Sequence, residues 1–405
     1  MSMSKKSMRV LDNLSPRTKK NYLCVLNQYQ QFHGMEIDDL ICEALDEQTN
    51  QVPSHMLKVI DRIEEFQDHL IQQDMVHGTI NAYISRIKTF YKKNRVVLPY
   101  ITPLNPKRTR RREYIEYKDI LTKEELRCAL PHMKISMRAR AMTMIQGGLS
   151  NAECERLLTR SFIDELKKYH GKEDDVDALK WLADENNPVI WVTKLVRAKT
   201  GKPYYALIGA EAVNIIARAK LHEIGLPKNQ GRIPDKLLAT NPDSFGNLCR
   251  TINDRCGLGK VAEECKLRPH NLRRFHATYI NGSALSYEEH SIISNAEIDE
   301  MQGRGKTNVQ DTYIKSNPIR QKCLYAKVMN NVSLYHKYDY EIIDDDVKVY
   351  LIDTQKENIK LEKKVKDLET QLQQRRKASD KVKKLREELG NDVFDELIGE
   401  ILNAS

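Results

Sequence analysis

The sequence predicts a mainly α protein in three parts: a helical N-terminal domain, a second, mostly helical domain with a small antiparallel sheet, and a helical C-terminal tail. Three observations carry this. Residues 15–95 place apolar side chains at spacings of three and four almost throughout. Two strand-like runs, Val189–Val192 and Pro203–Ile208, flank the turn Ala198-Lys199-Thr200-Gly201-Lys202 and are set among long helical stretches. Residues 345–405 are highly charged, contain no proline and have only Gly390 and Gly399 as breaks.

The first helix opens at Ser15-Pro16, an N-cap followed by a first-turn proline, and its stripe is Tyr22, Val25, Leu26 and Tyr29. A second helix covers about 55–73, with Met56, Val59, Ile60, Ile63, Phe66, Leu70 and Ile71 as its stripe, and a third about 78–93, where Ile80, Tyr83, Ile84, Ile87 and Tyr91 form the apolar face and Arg86, Lys88, Lys92, Lys93 and Arg95 the other. Residues 96–117 read as an extended basic linker: Pro99, Pro103 and Pro106 precede Lys107-Arg108-Thr109-Arg110-Arg111-Arg112. Such a run serves equally as a localisation signal, a solubilising stretch or a clamp laid along phosphates.

The second domain spans 118–335. Thr122 and Glu125 form a capping box, a helix over 136–146 ends at Gly147-Gly148, a charged insertion occupies 171–186, the hairpin follows, and helices resume from Ala210 to the end of the domain. Residues 1–14 are an N-terminal arm and 336–405 the tail. There Leu361, Val365, Leu368 and Leu372 repeat at 4-3-4, as in a coiled-coil seam, before the pattern slips. A coiled coil and a lone helix folded back on the second domain both fit. Val393, Phe394, Leu397, Ile398 and Ile401 form a last amphipathic cluster.

With 405 residues the chain can bury more than one core. Lys and Arg number 66 against 57 Asp and Glu, a formal charge of +9 that suits a polyanionic partner. The opening residues lack the apolar centre of a secretory signal, and no apolar run approaches the length of a bilayer span, so the expected setting is the cytoplasm, with no membrane partner. Eight cysteines include no C-x-x-C pair, as expected of reduced, structural thiols. Cys249, Cys256, Cys265, His270 and His276 match no common zinc spacing, so no zinc site is expected.

The chemistry-bearing residues come in a fixed order. Lys199 sits in the hairpin turn, His270 and Arg273 form an H-x-x-R pair in Pro269-His270-Asn271-Leu272-Arg273-Arg274-Phe275, Arg304 follows Gly303, and Tyr313 comes nine residues later. Attack on a phosphodiester loads negative charge onto the non-bridging oxygens, and guanidinium forks answer that charge best. Positions i and i+3 share a helix face, so His270 and Arg273 can converge on one phosphate, and Pro269 starts the helix so that its first amides point there too. Lys199 can protonate a 5′ leaving oxygen, although Lys202 on the same turn can do so as well. Tyr313 suits a nucleophile if it lies near Arg273 and Arg304. Each residue alone is commonplace; the order and spacing of the set carry the inference.

On these motifs, residues 15–330 resemble the tyrosine recombinases of the phage-integrase family. Ser15–Tyr29 and Gly78–Tyr91 are similar to that family's helical core DNA-binding domain, Pro269–Phe275 to its H-x-L-R box, Lys199 to its β-hairpin lysine, and Gly303-Arg304 to its Gly-His pair ahead of the nucleophile. The resemblance implies a mostly helical tyrosine-recombinase catalytic domain, double-stranded DNA attachment sites as partner, a homo-tetramer on two duplexes, a 3′-phosphotyrosine at Tyr313 and no cofactor. It implies catalytic roles for Lys199, His270, Arg273 and Arg304, and a two-domain clamp. The candidate DNA contacts are Lys19, Lys20, Arg86, Lys88, Lys92, Lys107, Arg108, Arg110, Arg111 and Arg112.

Two departures stand out. Where the family has the arginine of T-G-L-R-x-S-E-L, this chain has Gly147-Gly148-Leu149-Ser150-Asn151-Ala152-Glu153-Cys154, so Ser150 replaces a guanidinium by a neutral hydroxyl. Arg138, Arg140 and Arg156 are near in sequence, and nothing in the sequence prefers one of them. Arg304 stands for a histidine and keeps the donors but not the proton shuttle. Two readings follow: an active site-specific recombinase or integrase, and a recombinase-derived DNA-binding protein, architectural or regulatory, whose catalysis is weak or lost.

Overall fold

The structure is a computed structural model. It describes residues 5–111, 113–197, 199–238, 241–282, 293–304, 317–338 and 360–373, with a few positions between 381 and 390. The chain divides into two compact units, Met1–Ile115 and Glu116–Ser405.

The first unit is helical. Its elements are α1 (Lys5–Asp12), α2 (Pro16–His33), α3 (Ile37–Thr49), α4 (Lys58–Gln72) and α5 (His77–Lys93). Ser15 caps α2 as expected, its hydroxyl accepting from the Thr18 amide at 3.3 Å, and Gly34 ends the helix in the left-handed region. The expected stripes of α2, α4 and α5 meet in one core. Tyr29 is fully buried there, edge-on to Phe66 at 5.2 Å between ring centroids, with its hydroxyl 3.3 Å from that of Tyr91.

The N-terminal arm contains helix α1, which Leu11 anchors by complete burial. Helix α3, not singled out in the sequence reading, contributes Ile37, Leu40, Ile41 and Ala44 to the same core. Residues 106–110 of the basic stretch are held against the first unit. A short 3-10 turn covers Pro106–Arg108, Arg110 bridges Val76, and the Thr109 hydroxyl lies 3.0 Å from His77 Nδ1. Arg108 pairs with Asp68 at 3.1 Å and Arg110 with Asp74 at 3.6 Å, so these residues lie along the start of α5 and on α4 and the turn that follows it. Extended Pro-rich chain, unable to complete its own ladder, bonds to a neighbouring strand-like residue instead.

The second unit is built on α7 (Ile135–Gly147), whose every residue from Ala139 to Gly147 is buried. Before it lies α6 (Lys123–Ala129), started by the Thr122–Glu125 capping box. After it come α8 (Asn151–Cys154), α9 (Thr159–Glu165), α10 (Lys167–His170) and α11 (Asp175–Leu182). The charged insertion is thus half helical: α11 buries Ala178, Leu179 and Leu182 and packs on α12 (Ala210–Ile224).

Strands β1 (Trp191–Val196) and β2 (Pro203–Ile208) pair antiparallel, with Trp191 opposite Ile208 and Val196 opposite Pro203. The first strand therefore runs further than the Val189–Val192 expected. Helices do not simply resume after β2. Between α13 (Pro242–Arg255) and α14 (Pro269–Ile280), β3 (Lys260–Val261) and β4 (Glu264–Cys265) form a second small hairpin. Ala262 and Glu263 between its strands both take positive φ, at 48° and 66°. Consecutive positive φ is what a tight hairpin with right-handed twist demands, but the pair carries none of the Asn-Gly chemistry that would announce it in sequence. Helices α15 (Asn295–Met301) and α16 (Pro318–Val332) follow among the described residues.

In the tail, 360–373 is helical, and Leu361, Val365, Leu368 and Leu372 are each more than half exposed. The cluster from Val393 to Ile401 lies outside the described residues. No described helix is long and apolar enough to cross a membrane.

One buried carboxylate ties the end of α16 to the start of α12. Glu211 accepts from the amides of Leu334, Tyr335 and His336 at 2.7–2.8 Å and from the Gln146 side-chain amide at 3.1 Å. Removing it leaves these donors unsatisfied, at roughly 1–3 kcal/mol for each that water does not reach. Glu211→Ala is expected to lose about 3 kcal/mol or more in urea unfolding, and Glu211→Gln, which keeps one acceptor oxygen, distinctly less. A loss below about 1 kcal/mol in the alanine variant would contradict this role.

Candidate active site

The candidate site assembles around the turn Gln302-Gly303-Arg304, which follows α15. Gly303 has φ +61°, and a Cβ there would meet the Tyr204 ring at 2.6 Å, so only glycine allows the turn to sit against β2. The turn presents consecutive carbonyls. Arg273, on the buried face of α14, donates from Nη2 to Gln302 O, and Arg197, just past the end of β1, donates from Nη1 to Gly303 O, each at 2.5 Å. Arg304 follows directly, its guanidinium 3.4 Å from Asp299.

Arg273 is also held from the other side. Its Nη1 lies 3.1 Å from Glu153 Oε2, a carboxylate almost wholly buried, whose same oxygen accepts from the Ser150 amide at 2.7 Å. Burial pushes the Arg273 pKa down and Glu153 opposes that shift, so the ion pair keeps the guanidinium charged inside the protein. The Tyr204 hydroxyl lies in the field of the same carboxylate, and burial, then Glu153, raises its pKa and holds it protonated.

His270 stands one turn before Arg273 on α14. It keeps an exposed edge, while the protein mass around it, then Arg274, Arg268, Arg273 and Arg304, lower its pKa, which favours the neutral imidazole. The helix begins at Pro269 as the sequence implied. His270, Arg273 and Arg304 therefore come together. Lys199 lies at the exposed end of the hairpin that carries Arg197; Lys202 faces Arg197 across that turn, where the Arg197 amide donates to Lys202 O at 2.8 Å. Tyr313 lies outside the described residues.

The stretch at Ser150 answers the question of the missing arginine in part. Helix α7 stops at Gly147, and Gly148, at φ +60°, turns the chain; a Cβ on Gly148 would meet His276 Nδ1 at 2.5 Å. Ser150 then caps α8, its hydroxyl accepting from the Glu153 amide at 3.3 Å. None of the three arginines near it in sequence fills its place. Arg140 is fully buried and donates to Asn151 Oδ1 and O at 2.8 and 2.7 Å, bracing the loop from inside. Arg138 serves the carbonyls of Leu130, Pro131 and Met133. Arg156 donates to Val196 O at 3.1 Å, at the end of β1.

Arg197 is the site residue that the sequence reading missed. A signal for it existed. Along β1 the buried residues are Trp191, Thr193 and Leu195, and a period of two puts residue 197 on the same inward side.

The candidate DNA contacts divide into paired and exposed groups. Lys19 pairs with Asp12 at 2.8 Å, and Arg108 and Arg110 have the partners given above. Lys20, Lys92, Lys107 and Arg111 are exposed and Arg86 is half-buried. Burial, then its neighbour Lys92, lowers the Lys88 pKa. Arg112 lies outside the described residues. Among the described residues no three His, Cys, Asp or Glu side chains gather as metal ligands.

His276 lies beneath this site, fully buried, with Nδ1 2.8 Å from Gln302 Nε2. Burial, then Arg273 and Arg304, push its pKa from the ordinary 6.5 down to about 3. The folded form thus binds its proton less readily than the unfolded chain. Its contribution to stability is complete above pH 6.5 and is lost as pH falls from there towards 3. The loss approaches about 1.4 kcal/mol per pH unit, in a range above pH 5 where few carboxylates titrate. Urea unfolding between about pH 7 and 5 should show that slope, and His276→Gln should reduce it, leaving the smaller part that His270 and His33, also lowered, contribute. An unchanged slope in the variant would contradict the assignment.

No protein-family profile matches this chain, and no curated protein sequence matches it. Solved structures are similar to it at low identity. A XerA recombinase is 16% identical over 82% of this chain and 99% of its own, with a TM-score of 0.32. A XerH site-specific recombinase, bound to its difH substrate in a pre-cleavage complex, is 16% identical over 64% of this chain and 68% of its own, with a TM-score of 0.37. The integrase of mycobacterium phage Brujita is 11% identical over 84% of this chain and 94% of its own, with a TM-score of 0.32. The chain is thus similar to two recombinases and a phage integrase.

Proposed function

We propose that this protein is a site-specific DNA recombinase of the tyrosine type, an integrase that cuts and rejoins strands through a 3′-phosphotyrosine. The observation that carries the reading is the meeting of Arg273 and Arg304 at one turn, with His270 one helical turn before Arg273 and in the field of both, and a lysine-bearing hairpin anchored to that turn by Arg197. Guanidiniums held by protein carbonyls and a buried carboxylate are preorganised for a phosphate whose charge grows during attack.

In this reading the phenol oxygen of Tyr313 attacks phosphorus and its proton passes to the neutral His270. The P–O5′ bond breaks, and the leaving 5′ oxygen takes a proton from Lys199. Nothing is oxidised or reduced. The released 5′-hydroxyl of a partner strand reverses the step at the phosphotyrosine, which exchanges strands and frees the tyrosine. Double-stranded DNA is the partner, and four copies acting on two duplexes, with the exposed heptad face of 360–373 joining protomers, is the assembly proposed with it. The exposed cations of the first unit and of its basic stretch supply non-specific affinity that falls steeply with salt.

Ser150 favours a second reading, a DNA-binding protein of recombinase descent with weak or lost catalysis. Losing one such donor costs on the order of 10²–10³ in rate. Covalent capture separates the two. A nicked suicide duplex, carrying the sequence that the protein selects from random DNA, is incubated with the full chain and run on a denaturing gel. A DNA-linked band absent in Tyr313→Phe is the expected result. No band, despite sequence-selective binding, would favour the non-catalytic reading.

A further inference from the structure

We propose that Arg197 is a third guanidinium of the phosphate site, beside Arg273 and Arg304, and does the work that Ser150 cannot; this rests on the recombinase reading above. Three independent features of the fold lead to it. The period of β1 carries residue 197 to the inward face, beyond Leu195, which pairs across the hairpin with the buried Tyr204. Tyr204 is the residue that closes on Gly303, so the hairpin and the turn meet at this point. Finally, Arg197 and Arg273 donate to the consecutive carbonyls Gly303 O and Gln302 O. Two guanidiniums fixed on adjacent carbonyls of one turn can address two oxygens of a single phosphate.

The charge balance points the same way. Arg197, Arg273 and Arg304 meet with His270, while the acidic groups paired there are Glu153 and Asp299. Arg304 and Arg197 each oppose the charge on Arg273, so the cluster carries an excess that an anion would relieve. Of the five N–H donors of Arg197, the bond to Gly303 O commits one. The other arginines near Ser150 are turned elsewhere: Arg140 and Arg138 brace loops, and Arg156 holds Val196 O, which steadies the end of the strand that delivers Arg197.

A plain alternative is that Arg197 only pins the hairpin to the turn. The suicide-duplex assay separates the two roles when run with Arg197→Ala, Arg197→Lys and Arg197→Gln beside the unaltered chain. Glutamine can still donate to Gly303 O but brings no charge, whereas lysine keeps the charge without the fork. The rate of covalent complex formation should fall about 10²–10³-fold in Arg197→Ala and nearly as far in Arg197→Gln. Arg197→Lys should retain at least about tenfold more activity than either, as a point charge in place of a fork.

A duplex with a methylphosphonate at the scissile position adds a reading that a structural role would not move. With one charged oxygen gone, the alanine variant should lag the unaltered chain by roughly tenfold or less on one of the two diastereomers. A rate for Arg197→Ala within about threefold of the unaltered chain, or full rescue by glutamine, would overturn the proposal and leave the recombinase reading intact. If the unaltered chain gives no band at all, the recombinase reading fails, and Arg197 is judged by binding alone. A phosphate contact lowers the slope of log affinity against log salt by about 0.9 in Arg197→Ala; an unchanged slope then ends the proposal as well.

Discussion

The buried ion pair between Arg273 and Glu153 is the constraint on which the second unit's site depends. A guanidinium inside a protein costs several kcal/mol in lost hydration unless a carboxylate and further acceptors answer it. Here Glu153 supplies the charge and Gln302 O a further acceptor. Both requirements reach outward. Glu153 must sit at the third position of α8, which fixes Ser150 as its cap, and Gln302 must end α15 where α14 can reach it. The ion pair therefore sets the distance between the loop after α7 and the turn after α15.

Two glycines make that closeness sterically feasible. Gly148 lets the loop pass over His276, and Gly303 lets the turn close on Tyr204, each at a φ near +60°. His276 and Gln302 fill the space between as a neutral hydrogen-bonded pair. Burying an uncharged imidazole beside two guanidiniums avoids adding a third positive charge. The outcome is a cationic surface backed by a neutral floor, a layering suited to holding an anion from one side only.

Much of this was legible in the sequence. Period-3.6 stripes located α2, α4 and α5, and the capping residues Ser15 and Thr122 marked helix starts because each cap answers an orphan amide. The H-x-x-R spacing put His270 and Arg273 on successive turns of α14. What escaped detection depended on tertiary contact. The β3–β4 hairpin carries Ala262 and Glu263 at positive φ, where sequence leads one to expect Asn or Gly. The basic residues 107–110 look like a free linker until Asp68 and Asp74, distant in sequence, are seen beside them. Beyond the strand period, Arg197 carries no signal of a site in its own neighbourhood, because its role rests on a carbonyl more than a hundred residues away.

We propose that the Gln302-Gly303-Arg304 turn and its guanidiniums form a phosphate seat. The most direct test is a structure of the full chain, as Tyr313→Phe, bound to a duplex of its selected sequence. The account predicts one backbone phosphate with non-bridging oxygens within about 2.7–3.2 Å of Arg273, Arg304 and Arg197 nitrogens. A duplex bound firmly elsewhere, with this turn facing solvent and no phosphate within reach of Arg273 or Arg304, would contradict it.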